Sequence, residues 1–282
     1  MPLVKSIRPV VLALAIALLA APSSFAVAFV SNASGDWNDG NTWNQAGAVP
    51  GSGDTVQILD THTVTVTTTS DAAGSVSFGT LAFGATLQIN PGAKLTVLGN
   101  VDVDADALGS ATLDVASGTL TVGGNINITE GSTGGVATLR IGAGSASCGN
   151  VTFSSLLNAN NTRIDFFGGG LLSLKGSLDS DGTLINHTAG IGSTVKFDGS
   201  ASQTIGDYTY QNLGIANTSA IPVEATGAFT VNGTLGIQSG VFLVKNSFSA
   251  GGTSTLQMTG TSFLKLGDAT TGLGVTLPNF AT

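Results

Sequence analysis

Three charged side chains occupy matching places in similar stretches of this sequence. They are Asp114 in Thr112-Leu113-Asp114-Val115, Arg140 in Thr138-Leu139-Arg140-Ile141 and Asp165 in Arg163-Ile164-Asp165-Phe166. A carboxyl group beside an arginine can do acid–base work, with the cation stabilising negative charge that develops on a substrate. The polysaccharide lyases built on stacked strands need such a set. The same alternation of sign on neighbouring strands is also an ordinary ion-pair ladder, worth about 0–1 kcal/mol per pair. The ladder is the reading favoured here. A second acidic group, Asp102, Asp104 and Asp106, alternates with Val101, Val103 and Ala105, so the carboxylates share the outer side of one strand. That crowding is either a solvated acidic face or a weak calcium site, calcium taking about six to eight oxygens. An EF-hand loop is excluded, because Ala107 stands where glycine is needed and Leu113 where the terminal glutamate belongs.

The tryptophans, Trp37 and Trp43, lie in a polar stretch that runs to Val49-Pro50-Gly51-Ser52-Gly53-Asp54. Their rings could stack on a sugar as a ligand-binding platform, or they could close the end of the fold. His62 and His187 are isolated, with no spacing that suggests a metal pair or a triad. Cys148 is the lone cysteine, so no intrachain disulfide exists, and its alignment with Val97 and Val122 points it inward. No helix and no Lys-Ser pair follow Gly168-Gly169-Gly170, which rules out a phosphate loop.

These residues are positioned by an internal repeat. Thr86-Leu87-Gln88-Ile89 returns as Thr112-Leu113-Asp114-Val115 and Thr138-Leu139-Arg140-Ile141, each 26 residues after the last. A second strand follows each copy: Leu95-Thr96-Val97, Leu120-Thr121-Val122 and Ala146-Ser147-Cys148. A third begins at Val101, Ile126 and Val151, each preceded by an asparagine: Asn100, Asn125 and Asn150. Those asparagines read as a stacked amide ladder at a turn where the residue tolerates the left-handed region. A unit of about 25 residues cannot bury its apolar side alone, so copies must stack. Three strands per coil and crossover handedness predict an all-β, right-handed parallel β-helix. Toward the C-terminus the period shortens to 21, from Thr234-Leu235-Gly236-Ile237 to Thr255-Leu256-Gln257-Met258. About nine coils at ~4.8 Å spacing make a rod on the order of 40 Å long.

Composition agrees. Forty glycines suit the corners of stacked coils, while 11 Lys, Arg and Glu residues together are too few for a helical protein. The net charge of −8 argues against nucleic acid and anionic membranes as partners. Lys5 and Arg8 followed by the apolar run Val10 to Ala21 read as a signal peptide over residues 1–26, cut after Ala26 or Ala28. The run is too short to span a membrane, and no second one follows. The expected product is secreted or held at the cell surface, with a cap over 27–58 and the solenoid over 59–282.

The run from Trp37 through Trp43, Pro50, Gly53-Asp54 and Val56-Gln57-Ile58 to His62-Thr63-Val64 resembles the start of the eight-glycine domain of extracellular proteins. The strands to about residue 130 fit it too. The stretch Val195-Lys196-Phe197-Asp198-Gly199-Ser200, with Gln203-Thr204-Ile205-Gly206 and Tyr210-Gln211-Asn212-Leu213, is similar to repeats in large bacterial surface proteins. The resemblance implies an extracellular, ligand-binding or adhesive role and carries over no catalytic residues. The tails expected of such proteins are absent after Leu277-Pro278-Asn279, which reads as a piece of something longer. The expectation is a non-catalytic stalk, spacer or adhesin segment without a cofactor, calcium aside, that meets extracellular polysaccharide or other surface proteins. The alternative is a carbohydrate-binding or polysaccharide lyase-like β-helix. A minor one is ice binding, suggested by Thr61, Thr63, Thr65, Thr67 and Thr69. The column Thr86, Thr112, Thr138 weighs against it, because its neighbouring column is charged.

Overall fold

A computed structural model describes residues 26–79, 83–105, 109–131, 134–186, 192–251, 253–267 and 275–280. The signal peptide, Asp106 and His187 lie outside the described residues, apart from Ala26. Every strand pairs in parallel with the strand one coil away, and the chain forms a β-solenoid of about nine turns. The first face holds Ala28–Val30, Thr55–Leu59, Ser75–Gly79, Val101–Ala105, Ile126–Glu130 and Val151–Ser154. The second holds seven strands, from Gly35–Asp36 through Ser110–Val115, Val136–Ile141 and Thr162–Phe166 to Thr183–Asn186. The third face is nine strands deep, from Asp71–Ala73 to Thr255–Met258, and runs through both halves of the molecule.

The repeat is a spatial register. Thr86, Thr112 and Thr138 are direct partners, as are Leu87, Leu113 and Leu139. Alternation sends the leucines into the core, where all three are fully buried, and leaves the threonines outside. Each inward aliphatic side chain contributes about 1.5–3 kcal/mol by leaving water. The asparagine ladder is present: the Asn125 and Asn150 amides donate to Asn100 Oδ1 and Asn125 Oδ1, both at 2.9 Å. Its cause differs from the expectation, since none of these asparagines has a positive φ; among the described residues Thr61 is the non-glycine residue that does, at 65°. Close approach sets the corner instead. A Cβ at Gly124 would strike Asn100 Oδ1, and one at Gly149 would strike Asn125 Oδ1.

In the second half the first two faces shorten. Val151 bridges Leu178, whose amide donates to Thr204 O at 3.1 Å, and this leads into a four-stranded sheet from Gln203–Ile205 to Phe263–Leu266. A three-stranded sheet, Thr209–Tyr210, Phe229–Val231 and Phe248–Ala250, takes the other side. Among the described residues no helix is long and apolar enough to cross a membrane.

Candidate functional site

The second face carries the predicted ladder. Asp114 pairs in register with Arg140, and Arg140 with Asp165. Arg140 Nη1 lies 3.1 Å from Asp114 Oδ2, and its guanidinium sits 3.8 Å over the Phe167 ring. Both aspartates are more than nine-tenths buried by their neighbours, although they are on the outer face. Burial pushes the Asp114 carboxyl above its ordinary pKa; Arg140 pulls it back, and the charge of Asp165 raises it further. A raised pKa is one requirement of a general acid, but Asp114 is enclosed and its Oδ2 is held by Arg140, so it is not offered to a substrate. The neighbouring column Thr63, Thr86, Thr112, Thr138 is interrupted by Arg163, in register with Thr183, and the Arg163 Nε donates to Thr138 Oγ1 at 3.2 Å.

Asp102 and Asp104 lie on the first face, apart from the ladder. Asp102 Oδ1 accepts from Asn127 Nδ2 at 2.6 Å, and Asn127 Oδ1 accepts from Thr152 Oγ1 at 2.8 Å. They form a polar column up three coils. Among the described residues no three His, Cys, Asp or Glu side chains are gathered as a metal would need. Asp102 and Asp104 on the first face are thus separated from Asp114, Arg140 and Asp165 on the second.

Trp37 and Trp43 are 0% and 2% exposed, so neither ring offers a face for a sugar to stack on. The platform expectation is corrected by their position at the end of the core. Their centroids are 5.1 Å apart, edge to face, and Trp43 also meets Phe29 at 6.1 Å. Trp43 Nε1 donates to Trp37 O at 2.8 Å. The same segment covers the edge of Ala28–Val30: the Asn44 amide donates to Val30 O, and Asn44 Oδ1 accepts from Val30 N, both at 2.9 Å. An edge strand that would template aggregation is closed in this way.

Two polar contacts escaped sequence reasoning. Ser31 Oγ lies 2.8 Å from His62 Nδ1, the spacing of a nucleophile and its base. Ser31 is fully buried and also accepts from Leu59 N at 2.8 Å, so the pair fastens the cap and cannot meet a substrate. Glu130 is the other. Its carboxylate is enclosed by residues 155–161, accepting from Ser155 Oγ, Leu157 N at 3.1 Å, Asn158 N at 3.0 Å and Asn161 Nδ2 at 2.6 Å. The Ser155 hydroxyl above all, with the other donors, lowers its pKa to about 2. No local motif marks either contact, because the partners lie 25 to 31 residues away.

The fold places the chain among parallel β-helix proteins. No family model, no curated protein and no solved structure matches it.

Proposed function

We propose that this protein is an exported, non-catalytic β-solenoid, a rigid spacer or adhesin segment at or beyond the cell surface. The observation that carries the reading is the division of the charged side chains. Arg140 is paired with Asp114 and stands in register with Asp165 on one face, while Asp102 is held by Asn127 on another. Chemistry needs such groups to converge on a reacting atom, whereas a stiff rod needs them only as lateral fasteners between coils. Export is supported by the start of the first strand at Ala28, just past the cleavage position after Ala26. The Val27 nitrogen lies 2.8 Å from Asp54 Oδ1. Cleavage after Ala26 would turn that nitrogen into an ammonium paired with a carboxylate, whereas cleavage after Ala28 would remove the contact.

The test is expression of the full chain in an export-competent bacterium, followed by mass measurement and incubation with a panel of polysaccharides. An outside product beginning at Val27 that releases no reducing ends supports the reading. Retention of residues 1–26 on a cytoplasmic product refutes export. Polysaccharide cleavage lost in Asp114→Asn refutes the non-catalytic role.

A further inference from the structure

The second half of the solenoid contains a row of aromatic rings unconnected with the charged ladder. Phe153 meets Tyr208 at 6.5 Å, Tyr208 meets Tyr210 at 6.2 Å, and Tyr210 meets Phe229 at 6.5 Å, all edge to face. Phe229 and Phe248 then stack at 5.0 Å with an interplanar angle of 8°. Tyr208, Phe229 and Phe248, which stay 9%, 4% and 8% exposed, line an open hollow of about 220 Å³. Its rim carries the hydroxyls of Thr230 and Ser249, 2.7 Å apart, the Ser247 hydroxyl and the Asp207 carboxylate. Phe153, which meets Tyr208, lines a second hollow of about 390 Å³ together with residues 154–159 and Asp181. Tyr208 links the two linings: its ring bounds the first hollow and touches Phe153 of the second, and its hydroxyl donates to Asp179 O at 2.6 Å and accepts from Gly182 N at 3.3 Å.

The occupant must place apolar C–H groups on ring edges and hydroxyls on the Ser and Thr rim, at two places along one line. A sugar ring has both kinds of surface. Asp207 and Asp181 stand on the rims, and no lysine or arginine lines either hollow, so phosphates and uronates are repelled. We propose that this trough binds a linear, non-acidic saccharide lying along the solenoid axis, with sugar units in the two hollows that Tyr208 links. The site gives a ligand to the surface reading and stands or falls independently of it.

The test is calorimetric titration of the exported chain with neutral and amino oligosaccharides and with oligogalacturonate. Ala228→Trp and Ser247→Arg fill the first hollow from exposed rim positions, leaving the aromatic core untouched. The expected result is binding of a neutral or amino oligosaccharide, weakened at least tenfold by either variant with the circular dichroism and thermal midpoint unchanged. If Ala228→Trp disturbs folding, Ser247→Arg decides. The proposal is overturned if no oligosaccharide binds, if binding survives the rim substitutions, or if oligogalacturonate binds as tightly. Turnover of a bound glycan would leave the site standing and remove the non-catalytic role.

Discussion

The two tryptophans of the cap make the same kind of contact but differ in hydrogen bonding, and a pair of substitutions can separate the two effects. Trp43 Nε1 donates to Trp37 O at 2.8 Å, whereas the equally buried Trp37 Nε1 has no acceptor. Trp→Phe removes the same volume at either site, so both variants open a comparable cavity. At residue 43 the change also discards a hydrogen bond and leaves a buried carbonyl unpaired, which costs about 1–3 kcal/mol. At residue 37 it discards an unpaired N–H, which returns about 1–3 kcal/mol. Trp43→Phe should therefore be less stable than Trp37→Phe by about 2–6 kcal/mol. For a chain of this size that corresponds to a difference in midpoint on the order of 10 °C. Each variant retains one tryptophan as a reporter of the cap, so urea and thermal unfolding followed by fluorescence read the difference directly. Equal losses, or a larger loss for Trp37→Phe, would refute the hydrogen-bond argument and leave packing as the whole explanation.

Other outcomes follow from the site geometry. Glu130 has a depressed pKa, so its contribution to holding residues 155–161 is complete above about 4.5 and is lost as pH falls through about 2. Hydrogen exchange at the Leu157 and Asn158 amides should accelerate over that range, and in Glu130→Gln it should be fast at neutral pH. Asp114 has the opposite sign: its elevated pKa makes its contribution greatest below about 4 and smaller as pH rises through the folded value. A stability-against-pH curve for Asp114→Asn should lack that fall. Arg140→Met strands the enclosed Asp114 carboxylate and should cost about 1–3 kcal/mol, less than a fully buried pair because the guanidinium is partly exposed. In the Asp114→Asn background the same change should cost measurably less. Asn125→Ala removes the middle rung of the asparagine ladder and leaves the Asn150 amide without its acceptor, for a loss of about 1–3 kcal/mol in denaturant unfolding.

The first half of the fold was legible because stacking in register turns a spatial neighbour into a fixed sequence offset. Leu87, Leu113 and Leu139 are both 26 residues apart and one coil apart. The asparagine ladder could be read for the same reason, although the glycine beside each rung, and not a left-handed conformation, admits it. The period breaks between Val151 and Thr204, where Leu178 makes a single bridge, and the offset then falls to 19 between Thr230 and Ser249. A shorter coil has fewer inward positions, and here it fills its section with larger side chains such as Tyr210, Phe229 and Phe242. Glu130 gave no such signal because its register partner is Ala105 and the residue type changes along the column, and the Ser31–His62 pair lies 31 residues apart, off the 25–26-residue offset.

The same geometry explains why nearness in sequence misleads about function in this architecture. Asp104 and Asp114 are ten residues apart yet project from different faces, because their strands, Val101–Ala105 and Ser110–Val115, belong to different sheets. Asp114 and Asp165 are five times as far apart yet stand in one column. Groups one coil apart meet sideways, at ~4.8 Å, and neutralise one another, so a ladder of opposite charges consumes the chemistry that its residue types suggest. A binding site on such a rod arises where the ladder is interrupted. In this molecule that place is the shortened second half, where large rings fill the core, three of them line an open hollow and small hydroxyl side chains leave the space above them open.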